Sequence, residues 1–215
     1  MHLRSVNVGL PRVAAWRGED VHTGIFKAPV TEPVMVRTLN LDGDRQADLA
    51  VHGGVEKAVY GYPAEHYAFW REQLGEAFPW GAFGENLTTS GLDENSLHIG
   101  DRLRVGEAEL VVTQPRLPCF KLNLRFNRAD MVRRFLASRR TGFYFAVVKE
   151  GLIAAGDPLT VLARDPAGVT IADITRIYAF DKQDRATMRR LVTIPALAEG
   201  WRSYFAERLA TFDGA

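Results

Sequence analysis

The feature that most restricts this chain is its punctuation. From Leu3 to Leu162, short runs of β-branched and aromatic residues are separated by glycine and proline at intervals too short for ordinary helices. Leu3–Val8, Val21–Lys27 and Val34–Leu39 are such runs, with Gly9, Pro11, Gly18, Pro29 and Pro33 around them. Glu109–Thr113, Phe143–Val148, Leu152–Ala154 and Leu159–Leu162 continue the pattern, Phe143–Val148 and Leu152–Ala154 reading as strands across a Glu150-Gly151 turn. Alternation in the first run sets Leu3, Ser5 and Asn7 opposite Arg4, Val6 and Val8. Strands this short and this frequent suggest a barrel or a folded sheet.

Two stretches interrupt the strand pattern. Pro63 opens a helix over Pro63–Leu74 that Gly75 can close, with Tyr67, Trp70 and Leu74 on its core face, and Asp130 is a candidate cap for Met131–Leu136. Past Arg164-Asp165-Pro166-Ala167-Gly168, a linker by composition, the period turns helical. Ile171, Ile174 and Tyr178 recur on one face, Asp181 can cap Lys182–Val192, and Pro195–Phe212 carries Leu197, Trp201, Phe205 and Leu209. The expected division is a mainly β unit over residues 1–165 and a three-helix segment over 166–215. The basic run Arg185, Arg189 and Arg190 reads as a solvated face.

At 215 residues and 47% hydrophobic, the chain can bury a full core without a staple. Its 27 basic and 26 acidic side chains leave a formal charge of +1, so no global field recruits a nucleic acid polymer or a membrane, and any anion site must be local. One cysteine excludes an intrachain disulfide, and it excludes a four-cysteine zinc or iron–sulfur site made by this chain alone. The first residues lack the apolar core of a signal peptide, and no run approaches membrane-spanning length, so a cytoplasmic location is the expectation.

That cysteine, Cys119, sits in Gln114-Pro115-Arg116-Leu117-Pro118-Cys119-Phe120-Lys121, just past the Glu109–Thr113 strand. Two prolines stiffen the approach. As a strand, Cys119, Lys121, Asn123 and Arg125 would share one face; if Pro118 opens a helix, Cys119 falls in its first turn. Both geometries are basic. One cation about 6 Å from the sulfur, at an effective dielectric of roughly 20, is worth about 2.8 kcal/mol, or roughly two pKa units, so Arg116 or Lys121 could ionise the thiol. A lone cysteine can equally be a small buried hydrophobe.

A second polar cluster comes earlier: Asp48, then His52-Gly53-Gly54 and Lys57. Paired glycines let backbone approach a ligand closely, and the acid, base and cation suit a polar cofactor; the same residues also suit a solvated hairpin loop. Gly81–Thr89 again sets polar side chains after glycine.

Taken in order, Thr23-Gly24-Ile25 with Lys27, Gly43-Asp44 with Gln46-Ala47-Asp48, His52-Gly53-Gly54 with Lys57-Ala58-Val59, Phe83-Gly84-Glu85-Asn86-Leu87-Thr88, Ile99-Gly100-Asp101, and Pro115-Arg116 with Pro118-Cys119 resemble the MOSC-domain proteins, in their YiiM-like branch. The resemblance covers nearly the whole chain. It implies a fold of mixed α/β content, mainly β: a MOSC-type β-barrel with peripheral helices and a small carboxy-terminal three-helix segment. It also implies a molybdenum cofactor, with Cys119 ligating the metal of a pyranopterin phosphate. Lys27, Arg37, Lys57, Arg116 and Lys121, with Gly53 and Gly54, are then candidates for the phosphate. Asn86, Asp48 and His52 would bond the pterin edge or relay protons. The implied reaction is reduction of N-hydroxylated compounds such as hydroxylaminopurines to amines, with electrons from a separate reductase, a flavoprotein, because the chain lacks cluster cysteines and a Gly-x-Gly-x-x-Gly fingerprint. A cofactor carrier or sulfur-transfer protein acting through Cys119 is the alternative.

Overall fold

Short strands with one buried face need partners, and the computed structural model, which describes residues 1–48 and 53–213, supplies them in one eight-stranded sheet and two two-stranded ones. The strands are β1 (His2–Val8), β2 (Arg12–Trp16), β3 (Glu19–Thr23), β4 (Ala28–Val30), β5 (Val34–Val36), β6 (Val59–Pro63), β7 (Leu87–Ser90), β8 (Arg102–Val105), β9 (Ala108–Pro115), β10 (Phe143–Lys149), β11 (Gly151–Ile153) and β12 (Leu159–Ala163). The helices are α1 (Glu65–Leu74), α2 (Phe120–Arg125), α3 (Met131–Ser138), α4 (Ile171–Ala179), α5 (Arg185–Leu191) and α6 (Glu199–Asp213).

The main sheet runs β12-β8-β9-β10-β6-β7-β1-β4. The β6–β7 pair is parallel, so its connection must cross over the sheet, and α1 makes that crossover. The ladder does not close into the expected barrel. β12 and β4 are its open ends, and the roll is sealed instead by β1 against the turn before β12: Leu3 N–H donates to Asp157 O (2.9 Å), Gly156 N–H to Leu3 O (2.7 Å) and Leu159 N–H to Met1 O (3.0 Å). The expected alternation in β1 also fails, because a bulge between Leu3 and Ser5 shifts the register and turns Val6 fully inward beside Ser5 and Asn7.

Three further expectations are corrected. β11 does not form a hairpin with β10 across Glu150-Gly151; it pairs with β5. Pro63 ends β6 and does not open α1, whose cap position is Ala64, while Gly75 closes that helix at φ 76° as its lack of a Cβ allows. Asp184, not Asp181, caps α5, because only Asp184 lies three residues before the Thr187 N–H it accepts (3.0 Å); Asp181 pairs with Arg176 at 2.7 Å.

Packing divides into two clusters. An aromatic one, with Tyr62, Trp70, Phe83 and Phe135 at its centre, lies under α1, α2 and α3, and Trp70 Nε1–H donates to the Tyr62 hydroxyl. The larger one joins Leu97, Leu103, Leu110 and Val112 of the sheet region to Ile171, Ile174, Met188, Leu191 and Phe205 of the terminal helices. Backbone bonds cross the same join: Ile171 N–H to Leu97 O (3.0 Å) and Ile99 N–H to Val169 O (2.9 Å). The linker is held as well, since Arg164 pairs with the buried Asp101 and the Asp165 N–H donates to it. Each large apolar side chain so buried contributes about 1.5–3 kcal/mol. Ending the chain after Asp165 is therefore expected to give a product that aggregates or melts without cooperativity. A sharp two-state melt of that truncated chain, followed by circular dichroism, would show that the sheet suffices alone.

Candidate functional site

β9 ends at Pro115, and the chain then turns under the loop that precedes β10, with Arg116 N–H donating to Gly142 O (3.3 Å). Leu117 and Pro118 carry it to Cys119, which is extended (φ −118°, ψ 170°) and is the residue from which α2 starts. The helical alternative is therefore the one realised, with Cys119 one position ahead of the first turn. Its backbone carbonyl accepts from Leu122 N–H (2.9 Å), while its side chain makes no capping bond. Cys119 is half-buried and faces a pocket.

The pocket gathers residues from Thr23 to Tyr144. Its lining includes five cationic side chains, Lys27, Arg45, Lys57, Arg116 and Lys121, against one carboxylate, Asp44. In a chain of net charge +1, that imbalance is local.

Not all five charges are available. Lys27 and Asp44 form a buried ion pair, with side-chain exposures of 7% and 1%. Asp44 also accepts from Gly9 N–H (3.0 Å) and from Asn86 Nδ2 (2.9 Å), and Asn86 Oδ1 accepts from Tyr60 N–H (3.1 Å). Burial lowers the Lys27 pKa, and Asp44 offsets only part of that. Arg116 is different. It is 6% exposed, lies over the Phe135 and Tyr60 rings at 5.0 and 5.5 Å, and among the described residues its Nη1 has no hydrogen-bond partner. Burial alone would lower its pKa, but Tyr60, Tyr144 and Cys119 outweigh burial and raise it. A permanently charged, buried donor without an acceptor is costly, and an anion in the pocket would satisfy it.

Behind the pocket lies Glu85, fully buried. It accepts from the Tyr67 hydroxyl, Gly81 N–H (2.9 Å), Phe83 N–H (3.1 Å) and the Thr88 hydroxyl (2.9 Å), which fixes the loop that brings Phe83 and Gly84 to the wall.

Of the residues expected at the site, the structure brings together Cys119, Lys27, Lys57, Asn86, Arg116 and Lys121. Arg37 is not among them: it forks onto Asp42 (3.0 Å for both bonds) and approaches Glu150 at 3.8 Å. Gly53 and Gly54 do not line the pocket either; Gly54, at φ 97°, precedes the 3₁₀ turn Val55–Lys57 that delivers Lys57. Asp48 also lies off the lining, next to Ala47, which is on it. His52 lies outside the described residues. Sequence reasoning assigned no role to Asp44, Tyr60 or Tyr144. Asp44 stood in a quoted motif, but the two tyrosines look like ordinary strand residues.

The MOSC domain model matches residues 48–160, and the YiiM-like, 3-alpha helix domain model matches 169–212. This chain belongs to the YiiM-like branch of the MOSC family. MOSC domains are associated with molybdenum cofactor binding. Among relatives, the uncharacterized protein YflK of Bacillus subtilis is 42% identical over 95% of this chain and 92% of its own length. The crystal structure of YiiM from Geobacillus stearothermophilus superposes with a TM-score of 0.82 at 36% identity, covering 97% of this chain and 98% of that one. A protein of Gibberella moniliformis named Reductase is 33% identical over 81% of this chain, which spans only 32% of that longer protein.

Two outcomes follow from this MOSC pocket. Asp44→Asn strands a buried lysine and should cost about 3 kcal/mol, whereas Lys27→Met with Asp44→Asn should recover most of that. Urea unfolding of the single and double variants checks it, and a single variant within about 1 kcal/mol of the native chain would remove the pair from the architecture. The second concerns pH. Burial holds the Glu85 carboxyl above its ordinary 4.5, with Tyr67 and its other donors offsetting part. The folded chain therefore binds this proton more tightly than the unfolded one, so the contribution is full below 4.5 and is lost as pH rises through the folded value. Stability relative to Glu85→Gln should fall as pH rises, by at most about 1.4 kcal/mol per unit. Parallel pH profiles of the two proteins would contradict this.

Proposed function

We propose that this chain is a molybdenum cofactor-dependent reductase of N-hydroxylated compounds, hydroxylaminopurines among them, in which Cys119 gives the metal a protein sulfur. The observation that carries the reading is Arg116: a buried guanidinium with an unbonded Nη1 lines the same pocket as Cys119. A pyranopterin phosphate is an acceptor of the right charge, and a thiolate is the soft donor that such a metal takes. The residues therefore fit the group. Among the described residues no three His, Cys, Asp or Glu side chains cluster as a metal cage, which suits a metal that arrives with most of its ligands.

Arg116 would hold the phosphate, with Lys57 and Lys121 adding charge at the wall. Lys27 serves mainly to keep Asp44 in place. Tyr60 and Tyr144, whose pKa values burial raises, stay protonated and offer flat apolar faces to a planar ring. The bound cofactor would supply a redox-active metal that exchanges two electrons. Overall the substrate N–O bond breaks, two electrons and two protons enter, and an amine and water leave. Asp48, beside the lining residue Ala47, is assigned to proton delivery through its carboxyl, together with His52.

Electrons come from a separate donor protein in this reading. The Gibberella moniliformis Reductase supports it, because the region this chain matches is a minor part of that protein. The test uses protein made in a host that synthesises the cofactor, with metal and pterin content measured first. Such protein should reduce a hydroxylaminopurine with an artificial low-potential donor and not with NADPH alone, while Cys119→Ser folds normally and falls to background. Full reduction by the serine variant, or by molybdenum-free protein, would overturn the assignment.

A further inference from the structure

Arg12 and Arg125 both lie against the Phe26 ring, their guanidinium carbons 3.7 and 5.3 Å from its centroid. Like charges on one phenyl ring repel. Burial lowers the Arg125 pKa and Arg12 adds to that, while Tyr67, Glu85 and Glu76 offset part of it. Among the described residues, the buried Nε of Arg125 has no hydrogen-bond partner and neither guanidinium forms an ion pair with a carboxylate. Arrangements of this kind are completed by an anion, and a phosphate offers enough oxygens for both arginines.

Arg12, Phe26 and Arg125 stand outside the pocket lining, but each neighbours a residue that belongs to it. Arg12 stands opposite Thr23 in the β2–β3 register, and Thr23 lines the pocket. Phe26 lies between Ile25 and Lys27, which both line it. Arg125 is four residues after Lys121 on α2, so the two share a helix face, and Lys121 lines it as well. The six residues of α2 rise about 9 Å between Cys119 and Arg125. On that backbone spacing a phosphate at Arg125 would stand off from the thiol, as the phosphate of a nucleotide stands off from its base across the ribose.

We propose that Arg12 and Arg125 form a phosphate subsite at the pocket edge, and that the substrate class is accordingly the N-hydroxylated nucleotide, not the free base. The identity of the base rests on the reduction proposed above; the subsite does not. Arg116, deeper in the pocket, keeps the phosphate of the cofactor.

The test is calorimetric titration of the cofactor-loaded full chain with AMP, adenosine and inorganic phosphate, none of which carries a reducible N–O bond. AMP should bind about tenfold to a hundredfold more tightly than adenosine, the range for one or two charge-assisted hydrogen bonds. Arg12→Gln and Arg125→Gln should each collapse that ratio at unchanged molybdenum and pterin content. Arg12 is exposed, so its variant reads the subsite without disturbing packing. Arg125→Lys should fall between, having charge without the fork. Equal affinity for AMP and adenosine would overturn the proposal, as would a ratio preserved in both glutamine variants. Loss of pterin from those variants would give the arginines to the cofactor and overturn it too, and phosphate binding as tightly as AMP would reduce the site to a general anion trap. A clear AMP preference in protein that reduces no hydroxylamino compound would leave the subsite standing and remove only the reaction assigned to the pocket.

Discussion

Everything at the site depends on one carboxylate held inside the protein, that of Asp44. Its oxygens join the end of β1 through Gly9, the stretch leading into β4 through Lys27, and the residue before β7 through Asn86. Asn86 then takes the Tyr60 N–H, which fixes β6 beside the pocket. Four segments distant in sequence are thus tied by a single side chain. A charge in that position needs several donors at once, because burying a carboxylate with one partner costs more than the pair returns.

The same constraint separates the cations into two kinds. Lys27 is matched within the protein and acts as framework. Arg116, inside the pocket, and Arg125, on α2 beyond the lining residue Lys121, each bury a nitrogen that lacks a hydrogen-bond partner among the described residues, and these nitrogens mark places where the folded chain is electrostatically incomplete. Such groups survive because other contacts hold them: Arg116 by its backbone bond to Gly142 and the rings beneath it, Arg125 by its place on α2. The rigidity of the aromatic cluster under α2 is therefore part of the chemistry of the site.

What was legible in the sequence was local. Glycine and proline spacing located most strands, the lone cysteine directly after two prolines located the pocket, and the change of period after Arg164 located the terminal helices. What was not legible depended on partners far along the chain. Closure of the sheet turns on Leu3 meeting Asp157, the fate of β11 on Val34–Val36, and the inward turn of Val6 on a bulge that alternation does not announce. Arg37 illustrates the same limit at the site. As a basic residue it looked like the others, and only the fold shows Asp42 and Glu150 capturing it. Tyr60 and Tyr144 share a strand pattern with core residues, and their role emerges only when β6 and β10 pair at Tyr144–Tyr60.

The seal between β1 and the turn before β12 bears on biosynthesis. The first strand leaves the ribosome early, yet its edge residues Met1 and Leu3 find their partners only at Gly156, Asp157 and Leu159. The residues from Leu3 to Asp157 must all emerge before the roll can shut. Until then β1 holds an open edge, which nascent chains commonly shield with chaperones. The lining of the pocket is complete in sequence at Tyr144, twelve residues before the seal's first partner, Gly156. The pocket's lining is therefore translated before the roll can shut.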